Sequence, residues 1–138
     1  MGPSVLTHEK KSMKLHTGTD ITKISRFESF LSRSDEYLQE IYSAYELKQE
    51  RSLEFFASRW AAKEAFYKAL CALEKRTSSF KAIANLISIE KQNHIPYINF
   101  DRETFIKKTG AENLPQFNIS LSISHEKEYA LAFVIIYL

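Results

Sequence analysis

Cysteine is nearly absent from this chain. Cys71 is the only one in 138 residues, so no internal disulfide can form and a reducing compartment is allowed. Glycine and proline are scarce too, three of each, and neither occurs between Leu53 and Leu73, where an uninterrupted helix is therefore expected. No run approaches the ~18 apolar residues of a membrane span, and residues 129–138 read instead as a buried terminal strand. The net charge of +2 is too small for a coat on nucleic acid. There is no internal repeat or low-complexity tract. Residues 1–12 have no apolar secretory core, so 1–13 read as a flexible extension or cloning remnant, 14–138 as one domain, and the cytoplasm as the default location.

What is present centres on Arg59-Trp60-Ala61-Ala62-Lys63-Glu64-Ala65. Phe55, Ala62, Phe66, Ala69 and Leu73 recur at three-, four- and seven-residue steps and form one core-facing stripe. Glu64 projects from the opposite side, yet its neighbours there are Ala57, Trp60, Ala61 and Cys71. A helix apolar on both sides is covered on both sides, so Glu64 and Lys68, one turn apart, are expected in a partly dry crevice. A buried charge needs a counter-charge or a metal ion. The plain alternative is an intrahelical Glu64–Lys68 pair worth ~0.3 to 0.5 kcal/mol.

Two other segments supply polar groups. Residues 14–21 read as a short strand ending at a Gly-containing turn, with Asp20 placed either to cap a helix beginning near Thr22 or to act as a second carboxylate. One or two carboxylates, with waters and substrate phosphate oxygens, are how Mg²⁺ is usually held, and Asp20 with Glu64 would suit it. Residues 118–125 alternate Asn118, Ser120, Ser122 and Ser124 with Ile119, Leu121 and Ile123, a half-buried strand ending at His125. Serines beside a histidine invite a hydrolase reading, but there is no Gly-x-Ser-x-Gly elbow.

Gly18-Thr19-Asp20-Ile21, the block from Phe55 through Ala69 that contains Arg59-Trp60-Ala61-Ala62-Lys63-Glu64-Ala65, and Leu121-Ser122-Ile123-Ser124-His125 together resemble the ordered motifs of the 4′-phosphopantetheinyl transferase superfamily. Spacing and length resemble its small branch, the holo-[acyl-carrier-protein] synthases. The resemblance implies transfer of the phosphopantetheine arm of coenzyme A to a serine of an acidic acyl carrier protein, releasing adenosine 3′,5′-bisphosphate, in support of fatty acid biosynthesis. It implies Mg²⁺ on Asp20 and Glu64, with Lys68 reaching the same phosphates. Arg59, Lys63 and His125 match further coenzyme A contacts, and Arg26, with Lys23 nearby, matches carrier-protein docking. Either Glu64 or a metal-bound hydroxide could take the serine proton. A homotrimer with shared active sites is implied as well.

The sequence departs from that pattern in two turns. The stretch from Cys71 to Ser79 has no glycine where the family usually lays a Gly-rich turn against the nucleotide, leaving Lys75, Arg76 or Ser79 to supply contacts. His94 stands where the family commonly has Gly, although Asn93 can take a left-handed conformation. Residues 22–34 read as a short helix with Ile24, Phe27, Phe30 and Leu31 on its apolar side and Lys23, Arg26 and Arg33 among the charges. Residues 34–50 suggest a short helix and a second helix start, 86–90 and 97–100 paired strands, and 101–110 a helix capped by Asp101 and closed by Gly110. The whole reads as an α+β single domain, a mainly antiparallel sheet packed on the long helix. A different Mg²⁺-dependent phosphoryl enzyme and a catalytically silent binding module remain the alternatives.

Overall fold

The computed structural model describes residues 12–75 and 78–138. Most of the expected N-terminal extension, and Arg76 of the glycine-free loop, lie outside the described residues.

The long helix, α3, spans Leu53–Leu73. Ser52 caps it, its hydroxyl accepting the Phe55 N–H at 3.0 Å, an arrangement worth about 1 kcal/mol. Residues buried along α3 face every direction, because one apolar cluster (Phe66, Leu70, Ile87, Phe105, Val134, Ile136) covers one side and a second (Ile24, Phe27, Leu38, Ile41, Tyr42, Phe56) covers the other. Phe55, expected in the stripe with Phe66, belongs to the second cluster. It lies about 16 Å back along the axis, where the neighbour is no longer sheet but Tyr42, with ring centroids 6.5 Å apart. Ala57, Ala61, Ala62, Ala65 and Ala69 are all fully buried, and these short side chains let the surrounding backbone come close.

That backbone is a three-stranded antiparallel sheet of order β1-β5-β4, with β1 at Leu15–Lys23, β4 at Asn118–His125 and β5 at Tyr129–Tyr137. Register runs Leu15↔Tyr137 to Lys23↔Tyr129 on one edge of β5 and Asn118↔Tyr137 to His125↔Ala130 on the other. Ala130, Ala132, Val134 and Ile136 point inward and are fully buried. Tyr129, Leu131, Phe133 and Tyr137 point outward and are exposed. The terminal strand is thus not buried on both faces, as its unbroken apolar run suggests; only one face meets α3.

β1 also differs from expectation. It does not end at a turn near Gly18 but continues through Asp20 to Lys23, so Asp20 caps no helix. A 3-10 helix follows at Ile24–Ser32, burying Ile24 and Phe27 and leaving Leu31 exposed. Phe30 lies edge-on to Phe27, Phe56 and Trp60 at 5.0, 5.8 and 6.3 Å, which fastens this helix to α3. Two single-turn helices come next, α1 at Asp35–Leu38 and α2 at Ala44–Leu47.

After α3 come α4 (Phe80–Ile83), a 3-10 turn (Ala84–Leu86), and a hairpin of β2 (Ile87–Gln92) and β3 (Ile95–Phe100). Asn93 and His94 both have positive φ, 52° and 67°, as a two-residue hairpin turn of the primed type requires. The turn is kept although neither residue is glycine. Helix α5 (Arg102–Thr109) is capped by Asp101, which accepts the Thr104 N–H at 3.1 Å, and ends at Gly110 with φ 74°, as expected of these residues. The molecule is an α+β domain whose sheets wrap one central helix.

Candidate active site

The site begins with the smallest side chain on β1. His16, Gly18, Asp20 and Thr22 share the strand face turned to α3. A Cβ built on Gly18 would overlap the Ala65 carbonyl oxygen and lie 2.9 Å from the Ala69 nitrogen. Only glycine lets strand and helix backbones meet there. Two residues further on, Asp20 consequently lands beside Glu64 and Lys68, each one position before the alanines that Gly18 touches.

The Lys68 ammonium reaches across to β1, donating to the Thr19 carbonyl at 2.8 Å and lying 3.3 Å from Asp20 Oδ1. The ammonium of Lys68 thus closes an interelement bridge rather than the intrahelical pair weighed above. Burial pushes the Asp20 carboxyl above its usual range, against the opposite pull of Lys68 and Arg26. Glu64 is raised first by burial and then by the negative charge of Asp20, while Lys68 and Arg26 pull it down. Burial leads both shifts, and the charge of Asp20 adds to the one at Glu64.

That donor set fits a hard divalent cation. Both groups are carboxylates, both are partly withdrawn from water, and a cation between them would relieve the repulsion that raises Glu64. Among the described residues no group of three or more His, Cys, Asp or Glu could hold a metal ion, so a cation beside Asp20 and Glu64 would take its remaining ligands from water or phosphate, the usual manner for Mg²⁺. Arg26 is close enough to bias both carboxyls and donates to Thr22 Oγ1 at 3.0 Å. It belongs to this site as much as to the surface, whereas Lys23 lies exposed at the end of β1.

Lys63 is turned the other way. It is fully buried, and its ammonium donates to the Ala84 carbonyl at 3.2 Å, to the Ile87 carbonyl and to Glu46 Oε1 at 2.8 Å. All three donors are used inside the protein, so in this arrangement Lys63 has none to offer coenzyme A. Glu46 is equally buried; its carboxylate also accepts the Ser43 and Ile89 N–H groups at 2.8 and 2.7 Å. The pair ties α2, α3 and β2 together. Sequence reading missed Glu46, although Ser43-Ala44-Tyr45-Glu46 carries the capping-box pattern that the structure forms.

Arg59 and His125 meet in a different place, a cleft of about 480 Å³ between α2, α3, the β2–β3 hairpin and the end of β4, lined also by Tyr45, Lys91 and His94. Arg59 lies over the Phe55 ring at 4.7 Å and donates to Ser58 Oγ at 3.0 Å, while its Nε is buried with no partner among the described residues. A guanidinium on the lining of the cleft suits an anion. Glu64 is five positions on from Arg59, which turns their side chains ~140° apart around α3. One copy of the chain therefore directs the carboxylate pair and the cleft to different sides of the same helix.

Among the described residues no helix is long and apolar enough to cross a membrane. A family model described as the 4′-phosphopantetheinyl transferase superfamily matches residues 16–134. The chain is 36% identical over 125 residues to the holo-[acyl-carrier-protein] synthase of Borrelia hermsii, covering 86% of this chain and 94% of that protein. It is 37% identical over 126 residues to the Bacillus subtilis protein of the same name, covering 86% and 92%. Its fold is similar to a crystal structure of a holo-(acyl-carrier-protein) synthase from Bacillus anthracis in complex with CoA (3′,5′-ADP), with a TM-score of 0.65, 28% identity and coverage of 91% and 98%.

Proposed function

The chain belongs to the 4′-phosphopantetheinyl transferase superfamily, and from that premise we propose that it is a holo-[acyl-carrier-protein] synthase, moving the 4′-phosphopantetheine group of coenzyme A to a serine of apo acyl carrier protein. The observation that carries this reading is the convergence of Asp20, Glu64 and Lys68 across the Gly18 contact.

In the reaction, the serine oxygen attacks the phosphorus that bears the pantetheine arm, the pyrophosphate P–O bond breaks, and adenosine 3′,5′-bisphosphate leaves. Asp20 and Glu64 are proposed to hold Mg²⁺, which when bound would neutralise charge developing on the pyrophosphate oxygens. Lys68, half exposed beside Asp20, is the point charge that meets the same phosphates. Glu64, beside Asp20 and Lys68, is the residue of this chain placed to receive the serine proton. Arg59 and His125 hold the nucleotide end of coenzyme A in their cleft. Arg26 and Lys23 face the acidic carrier protein.

We further propose that the active sites are shared within a homotrimer. Two observations support sharing: the ~140° divergence of Arg59 and Glu64, and the apolar outer face of the sheet, where Ile21 is 63% and Phe133 39% exposed beside Leu15 and Leu131. A face of that kind calls for a partner, and the family resemblance implies three copies. We also propose a place in fatty acid biosynthesis, which the same resemblance implies, and in the cytoplasm, the default for a chain without a recognisable secretory core.

The test is direct. Incubated with coenzyme A, Mg²⁺ and an apo carrier protein, the enzyme should raise the carrier's mass by one phosphopantetheine at its acceptor serine. An unmodified carrier would refute the reading.

A further inference from the structure

The hairpin tip holds a residue that the turn does not need. Asn93 and His94 both occupy the left-handed region, where glycine is unstrained and a larger side chain is disfavoured. A glycine at 94 would make the better turn, so the imidazole has to be explained by what it touches. Its side chain is exposed and lines the cleft of Arg59 and His125.

The tip is not free to swing away from that cleft. Along β2, the Ile89 N–H donates to Glu46 Oε2 at 2.7 Å and the Lys91 N–H to the Tyr45 hydroxyl at 3.2 Å. Both acceptors stand on α2, whose Glu46 is in turn locked to Lys63 of α3. The hairpin thereby carries Lys91 and His94 to the lining of the cleft, which they share with Arg59 and His125, and all four can donate to an anion. Glu50 and Glu54 lie on the same lining and repel anions placed near them.

We propose that His94 is a specificity-determining residue of this cleft, an imidazole held by the left-handed turn to donate a hydrogen bond to the 3′-phosphate of coenzyme A. The choice of phosphate follows from the separation of the two regions. The pyrophosphate must lie at Asp20, Glu64 and Lys68, where the bond breaks, so the anion left for the Arg59 cleft is the phosphate on the ribose. This inference rests on the coenzyme A reading above and deepens it.

The test compares wild type with His94→Gly, using coenzyme A and 3′-dephospho-coenzyme A as donors to one apo carrier protein. Glycine removes the imidazole and relaxes the turn, so the thermal midpoint should stay level or rise. With coenzyme A, KM should rise about fivefold and kcat should change less than twofold. With the dephospho donor the two proteins should differ by less than twofold, because the group that His94 recognises is gone. An equal KM for coenzyme A in both proteins, or the same KM penalty with both donors, would overturn the assignment while leaving the transfer reaction intact. A wild-type protein that modifies no carrier at all would instead refute the coenzyme A reading itself.

Discussion

Replacing Gly18 by alanine adds one methyl group and should damage fold and chemistry together. The new Cβ would overlap the Ala65 carbonyl oxygen and crowd the Ala69 nitrogen, both backbone atoms of a helix buried on every side, which cannot yield as a flexible side chain would. β1 must retreat by roughly 1 Å to restore van der Waals separation. Overpacking of this kind costs about 1 to 3 kcal/mol. The same retreat carries Asp20 away from Glu64 and breaks the register of Lys68 with Thr19 and Asp20. Misplacement by ~1 Å costs on the order of 10²-fold in rate. Gly18→Ala should therefore remain folded at low temperature, melt several degrees earlier, and lose about 100-fold in kcat/KM for pantetheine transfer at saturating Mg²⁺. Gly110→Ala is the control. Its φ of 74° also strains an alanine, but a Cβ there meets nothing within 4 Å, so it should lower stability by about 1 to 2 kcal/mol and leave kcat/KM unchanged. Thermal melts and initial rates on both variants, at one protein concentration, decide the matter. Normal turnover by Gly18→Ala would refute the idea that the contact assembles the site.

Other consequences are equally open to measurement. Lys63→Met leaves Glu46 charged and buried without its ammonium, which should cost about 3 to 5 kcal/mol in urea denaturation, and Glu46→Gln in the same chain should recover part of that. Asp20 and Glu64 both have raised pKa values, so each favours the fold in acid and that contribution is lost as pH rises through its folded value. The metal-free protein should accordingly lose thermal stability as pH climbs from the ordinary carboxylate range toward neutral, and Mg²⁺ should restore it at neutral pH but not in acid. Lys23→Glu should raise KM for the carrier protein in a salt-dependent way while sparing coenzyme A. Arg26→Glu should in addition lower kcat, because Arg26 acts on both carboxyls.

Much of this architecture was legible in the amino acids, and the failures have physical reasons. The extent of α3 follows from twenty-one residues without a breaker, and α5 from Asp101 and Gly110, because caps and breakers act within a turn of themselves. Gly18 was misread as a turn glycine, since what requires it is Ala65, far along the chain. Lys63 looks like any lysine in a helical motif, and only the folded position of Glu46 explains its burial. β5 is apolar on both faces, so periodicity alone could not say that one of them lies open. Asp20, Glu64 and Lys68 were singled out by residue type and resemblance, and they do come together. Arg59 and His125 share a cleft, to which the structure adds Lys91 and His94, residues visible in the sequence only as parts of a hairpin.

The central claim is that Asp20 and Glu64 hold one divalent ion jointly, and calorimetric titration of Mg²⁺ into the enzyme saturated with coenzyme A tests it most directly. Wild type should take up one Mg²⁺ per chain, and Asp20→Asn and Glu64→Gln should each lose at least 100-fold in affinity, with the double variant little worse than either. Wild-type Mg²⁺ affinity in either single variant would contradict the shared site.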